Sequence, residues 1–147
     1  MLAIHHAIIL LLVHTMVTCV LVGLIWVVQC VHYPSFVYYT QKQAFSDHQR
    51  WISALVIPLM LLELITAIWV MIVFSSWPIL LGFILLVGIW LHTFLRMVPL
   101  HQQLLKDPVS SRHSTVKQLV QRNKIRTGLW SIRAVILATY LYHTFVN

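Results

Sequence analysis

Residues 47–74 read DHQRWISALVIPLMLLELITAIWVMIVF, and between Trp51 and Phe74 the only charged side chain is Glu63. A helix needs about 20 mostly apolar residues to cross the hydrocarbon core of a bilayer. This stretch is long enough, and Ser46-Asp47-His48-Gln49 reads as its capping box, with Ser46 and Gln49 satisfying free amide groups. Three further segments pass the same length test, at about 4–31, 78–98 and 125–143. The first stops at Tyr33-Pro34. The third opens at Pro78, a good first helical residue, and ends before Pro99. Between the third and fourth lies a polar stretch broken at Asp107-Pro108. There the helical spacing of Val116, Leu119, Val120 and Asn123 predicts a short interfacial helix. The fold class is all-α: one domain, a polytopic membrane four-helix bundle.

The bulk composition agrees. Of 147 residues, 60% are hydrophobic and 9% charged, with a mean hydropathy of +0.86. A soluble domain carries about a quarter charged residues, so a disordered chain, a disulfide scaffold and an ordinary cytosolic enzyme are excluded. The first apolar run is longer than a signal-peptide core and no small-residue cleavage site follows it, so it reads as a retained span. Cys19 and Cys30 lie in that run, roughly 16 Å apart on a helix, too far to bridge. No Cys-x-x-Cys occurs, which leaves thiol-redox chemistry unsupported.

The formal charge of +7 would suggest nucleic acid in a soluble chain; here it sets orientation, and no nucleic-acid partner is expected. The amino-terminal flank, the Ser75-Ser76-Trp77 turn and the carboxyl-terminal tail contain no Lys or Arg. Lys42 and Arg50 come after the first span, while Arg96, Lys106, Arg112, Lys117, Arg122, Lys124 and Arg126 surround the loop after the third. The positive-inside rule places both loops in the cytoplasm and both termini outside. Trp77, Tyr140 and Tyr142 suit the outer aromatic belt, and Tyr33, Tyr38, Tyr39 and Trp51 the inner one. The compartment expected is the inner, cytoplasmic membrane of a bacterium.

Ionisable residues inside a span cost a few kcal/mol and are functional candidates by default. Glu63 lies mid-way along the second span, His92 and Arg96 one turn apart on the third, and Arg133 inside the fourth. Arg126, Arg133 and Tyr140 repeat every seven residues and so face one way. His14, Thr18, Gln29 and His32 form a stripe on the first span. Together these predict a polar interior, concentrated in the cytoplasmic half at Gln29, His32, His48, His92, Arg96, His101 and Asn123. Plainer roles compete. Glu63 and Arg133 are read equally as a buried ion pair that fixes helix register. Arg96, Arg126 and Lys106 are placed to reach lipid phosphates. His5, His6, His113 and His143 fall at membrane edges, His14 suits packing in the outer leaflet, and Pro58 kinks its helix. No two histidines stand three or four apart, so no single helix presents a metal-binding pair. No phosphate loop, nucleophile elbow or triad spacing occurs.

Val98-Pro99-Leu100-His101-Gln102-Gln103-Leu104 at the end of the third span resembles the Val-Pro-x-Asn-x-x-Leu motif of anthrone oxygenase-like membrane proteins, with His101 in place of Asn. Asn123-Lys124-Ile125-Arg126 is similar to the Asn-x-x-Arg that opens their fourth span, and Pro34 and Pro58 match prolines common among them. This resemblance implies a four-span fold and a polar pocket at the cytoplasmic ends of the third and fourth helices. For a few members the activity is oxygenation of a polycyclic phenol. A weaker likeness joins His14 and Tyr33-Pro34-Ser35-Phe36-Val37-Tyr38-Tyr39 to HemJ and CopD-like membrane proteins. The arginine of that motif is missing, and Thr40 replaces its final His. That likeness implies His14 and His92 as ligands of haem b.

Three functional readings are open. In the first, an oxidoreductase or oxygenase binds a lipophilic aromatic or quinone-like molecule, with His92, His101, Arg126 and Arg133 catalytic. Gln29, His32, His48, Glu63, Arg96 and Asn123 then line the ligand site. His101 or His92 accepts a proton and an arginine stabilises the developing anion. The second is a haem- or metal-binding electron carrier. The third is a non-catalytic subunit or assembly factor, as a homo-oligomer or within a membrane complex. Membrane lipids are partners in all three.

Overall fold

The computed structural model describes residues 2–38, 42–108 and 112–146; Tyr39 and Thr40 lie outside the described residues. Four long helices account for nearly all of them. Helix α1 runs Leu2–Val27 and continues through a π-turn, Val28–His32, a helical turn, Tyr33–Ser35, and a 3-10 turn, Phe36–Tyr38. Helix α2 is Lys42–Val73. Helix α3 is Trp77–His92, extended by a π-turn, Thr93–Met97, and the segment Val98–Lys106. Helix α4 is Arg112–Val146. All four are long and apolar enough to cross a membrane. Each packs on its neighbour in sequence, and α1 against α4 closes the ring.

The distribution of polarity is inverted relative to a soluble bundle. Ile72 is 73% exposed while Glu63 is 0% and Arg133 1% exposed. Water would not tolerate a surface of Leu, Ile, Val and Trp on every helix; a bilayer requires it. The chain is an integral membrane protein. Its interior is layered. Leu11, Val70, Ile79 and Leu137 form an apolar cluster near the Ser75 turn. One to two turns further in stands a polar layer of His14 and Thr18 from α1, Glu63 and Thr66 from α2 and Arg133 from α4. A larger apolar cluster, including Leu21, Ile25, Met60, Ile89, Met97 and Trp130, fills the half nearer the basic loops.

Helix boundaries differ from the sequence reading in four places. Neither Pro34 nor Pro99 ends its helix. A proline ring collides with the carbonyl four residues back and offers no N–H. Each is preceded by a π-turn, closed by Tyr33 N–H to Val28 O and by Val98 N–H to Thr93 O. The wider turn takes up the extra bulk. It also inserts a residue and rotates the remainder of the helix by about 100°. Ser46 is not a cap, because α2 begins earlier, at Lys42, and Gln43 instead bonds Asp47 within its first turns. The segment containing Val116 and Asn123 is helical but not a separate element; it is the start of one unbroken α4. The break at Asp107 stands: the residue before Pro108 is extended, and Thr115 caps back onto its carboxylate.

Candidate functional site

Two polar systems occupy the bundle. The central one draws on all four helices. Arg133 pairs with Glu63 and also donates to Thr18 Oγ1 at 2.9 Å, to the Gly82 carbonyl at 2.9 Å and to His14 Nε2 at 2.8 Å. Glu63 accepts in addition from Thr18 Oγ1 and Trp130 Nε1, both at 3.0 Å. His14 Nδ1 lies 2.7 Å from Thr66 Oγ1, which itself donates to the Leu62 carbonyl. Arginine can only donate, so His14 Nε2 is the acceptor and its proton sits on Nδ1, bonded to Thr66. Among the described residues, no side-chain atom of Glu63, Arg133, His14, Thr18 or Thr66 is buried without a partner.

The second system lies toward the basic loops and surrounds a cavity of about 170 Å³. Leu21, Ile25 and Val28 of α1, Val56 and Met60 of α2 and Met97 of α3 give it apolar walls. His32, Tyr33, Gln49, His101, Arg126 and Trp130 supply its polar and aromatic lining. Tyr33 Oη and His101 Nε2 are 3.1 Å apart. His32 Nδ1 meets His48 Nε2 at 2.9 Å, where α1 faces α2. Arg126 is 5% exposed, lies over the Trp130 ring at 5.1 Å and donates to Asn123 Oδ1 at 3.2 Å. Asn123 in turn donates to Gln29 Oε1 at 2.9 Å, and the Gln29 amide donates to the Val120 carbonyl, locking α1 to α4. The lining residues most open to the outside are Ile57 and Val98, 54% and 37% exposed, so the mouth lies between α2 and α3 on the lipid-facing surface.

The cavity differs from the central layer in one respect. Gln49 Oε1, His101 Nδ1 and Arg126 Nε are buried there with no partner. Each such group costs about 1–3 kcal/mol in an apolar surrounding, and all three residues line the same space. Their chemistry is complementary. Arg126 Nε–H donates and Gln49 Oε1 accepts. The free nitrogen of His101 does either, according to which way the proton lies in its bond to Tyr33. A group with both a hydroxyl and an oxygen acceptor satisfies such a set.

The residues expected from sequence therefore separate. His32, His101 and Arg126 line the cavity, with His48 and Asn123 one bond behind them and Gln29 one bond behind Asn123. Glu63, Arg133 and His14 belong to the central layer. His92 and Arg96 line neither; they stand on the α3 flank that faces α4. Arg126 does not reach lipid phosphates, being covered by Trp130 and Asn123. His5, His6, His113 and His143 are exposed. The His14–Gln29–His32 stripe splits because the π-turn Val28–His32 changes the helix phase between its members. Sequence reasoning misses Tyr33, Gln49 and Trp130 as site residues. Trp130 sits four residues from Arg126 and three from Arg133, on the stripe already visible in sequence. Gln49 precedes Ser53, Val56 and Met60 at helical spacing on the face that carries Glu63.

These geometries bear on the haem expectation. The Nε2 lone pair of His14 is taken by Arg133 and its Nδ1 by Thr66, while His92 lies ten residues, about 15 Å, along α3 from the Gly82 carbonyl that holds Arg133. His14 and His92 as placed do not fit an axial pair. Among the described residues, no three His, Cys, Asp or Glu side chains converge as metal ligands. Compared with protein-family models, curated proteins and solved structures, the chain matches none. The site's chemistry therefore rests on its own geometry.

Proposed function

We propose that the protein takes a lipophilic phenol or quinone-like molecule from the membrane into the 170 Å³ cavity and exchanges a proton with its ring oxygen through His101 and Tyr33. The observation that carries this is the set of three unpartnered polar atoms, from Gln49, His101 and Arg126, in a chamber with mostly apolar walls. Its volume supports a single ring: an apolar cavity of about 150 Å³ holds benzene. That favours one ring over the polycyclic phenol of the family resemblance. The mouth between Ile57 and Val98 admits a ligand from the hydrocarbon, with any alkyl tail left in lipid.

The chemistry rests on the proton's two positions. With Tyr33 accepting from His101 Nε2, the opposite nitrogen is a base that removes the proton of a phenolic hydroxyl. Arg126, adjacent and always charged, stabilises the phenolate. With Tyr33 donating, the same nitrogen carries a proton toward a quinone carbonyl. An oxidoreductase or oxygenase acting on an electron-rich phenolate needs this first step. The Lys and Arg distribution supports a cytoplasmic location for this half of the bundle, with both termini outside, in the inner membrane of a bacterium.

Calorimetric titration of detergent-solubilised protein with a methoxyphenol, its benzoquinone and an alkylbenzene of equal size tests this. The two oxygenated rings should bind more tightly than the hydrocarbon. His101→Ala and Arg126→Gln should each weaken phenol binding about tenfold, the loss of one hydrogen bond to a charged or buried partner. Equal affinity for all three rings, unchanged in both variants, would refute the reading.

A further inference from the structure

Helices α3 and α4 are antiparallel, and Gly88 marks their register: a Cβ there would stand 4.0 Å from Leu129 Cδ1. Moving toward the basic loops from this contact, α3 presents His92 and then Arg96, each one turn further on. The matching turns of α4 present Arg126 and then Arg122. The two pairs therefore face one seam. Arg126, Arg122 and Arg96 all lie within electrostatic reach of His92.

Among the described residues, no carboxylate pairs with Arg96, Arg122 or Arg126. The protein has three acidic residues. Glu63 is bound to Arg133, Asp47 to Gln43 and Asp107 to Thr115. Among the described residues, Arg96 and Arg122 make no ion pair and no side-chain hydrogen bond. His92 Nδ1 is buried without a partner. Like charges on adjacent turns repel, and the penalty grows as the dielectric falls toward the buried Arg126. The arrangement is costly alone and favourable around an anion.

We infer that the α3–α4 seam binds a phosphate-bearing anion, held by the Arg96 and Arg122 guanidiniums with His92 donating from the membrane side. Guanidinium forks match the paired oxygens of a phosphate better than they match a halide. The seam opens to the outside on the side of the basic loops, where Arg96 is exposed and Arg122 half-buried. Two sources carry this chemistry, a phospholipid headgroup and free phosphate. The site is separate from the cavity, whose lining includes none of His92, Arg96 or Arg122.

The test uses the full-length protein, stripped of lipid in a neutral detergent. Native mass spectrometry and thermal unfolding are followed during titration with inorganic phosphate. The same measurements are made with phosphatidylglycerol in phosphatidylcholine nanodiscs. One saturable site is expected. At about fivefold per arginine near a headgroup surface, Arg96→Gln with Arg122→Gln should weaken binding about 25-fold. Lys117→Gln with Lys124→Gln removes the same charge from exposed positions of α4 and should change it less than twofold. Saturation by phosphate alone assigns a soluble ligand; saturation by phosphatidylglycerol alone assigns a headgroup. Binding of neither, or an equal loss in the arginine and lysine pairs, would overturn the site. If the double arginine variant does not fold, Arg122→Lys keeps the charge and loses the fork, and an affinity equal to the parent's counts against the proposal.

Discussion

Replacing Glu63 by Gln removes one negative charge from the centre of the bundle and changes almost no volume. Its consequences can be worked from the contacts. Arg133 keeps Thr18, Gly82 and His14 as acceptors, all neutral, and its own charge is left without a counter-ion at 1% exposure. The new amide must also turn an N–H toward Arg133, Thr18 or Trp130, each of which donated to Glu63. Breaking one side of a buried ion pair costs about 3–5 kcal/mol. Arg133→Gln should cost a similar amount, because Glu63 would then keep only the two neutral donors Thr18 and Trp130.

The double variant separates charge from packing. With both charges gone, the remaining contacts are neutral interhelical hydrogen bonds, which in membrane proteins average about 0.6 kcal/mol each. Glu63→Gln with Arg133→Gln should therefore lose far less than the sum of the singles, with a coupling energy of about 3 kcal/mol or more. Unfolding of the purified protein in mixed detergent, followed by helical circular dichroism across the four proteins of the cycle, measures this. Additive losses, or single losses below about 1 kcal/mol, would show that the pair does not hold the bundle together.

Two further outcomes test the frame. Cysteines placed singly at Ser76 and Lys106, in a background lacking Cys19 and Cys30, stand roughly 45 Å apart along α3 and should label from opposite faces of sealed vesicles; labelling from one face would refute the four-span arrangement. At Gly88, an alanine Cβ meets Leu129 at ordinary contact distance, so Gly88→Ala should stabilise by about 0.5–1 kcal/mol, whereas Gly88→Ile should push α3 from α4 and lower the unfolding temperature. A loss with alanine would show that the seam is tighter than the structure has it.

What the sequence disclosed depended on how few solutions each feature allowed. The four spans were legible because apolar length has one reading in lipid. The meeting of Glu63 with Arg133 was equally constrained: one carboxylate and one deep arginine inside spans leave little choice of partner. Helix phase was not constrained in this way. Pro34 and Pro99 look like stops, and nothing local says that a π-turn will absorb each one, so Gln29 and His32 seemed to share a face that the fold divides between α4 and α2. Tyr33 looked like a belt aromatic for the same reason. Gln49 looked like a cap because Ser46 precedes it, although α2 had already begun at Lys42. The cavity walls are ordinary Leu, Val and Met, indistinguishable in sequence from any other lining.

Trp130 joins the two polar systems, and the contrast across it carries the functional reading. Its Nε1–H is fixed by Glu63, and its ring supports Arg126 on the cavity side. On the Glu63 side, among the described residues, no side-chain polar atom of Glu63, Arg133, His14, Thr18 or Thr66 is buried without a partner, as polarity kept for register and stability requires. On the Arg126 side three buried atoms go without. Had the inner polar residues served packing alone, the same helices that satisfied Arg133 through four contacts could have given Arg126 Nε its partner as well. A bundle that completes one network and leaves the adjacent one incomplete around an open chamber supports the proposed binding of a ligand from outside the chain. In the proposed function, the Trp130 ring, held by Glu63, is the platform on which Arg126 meets the ligand's oxygen.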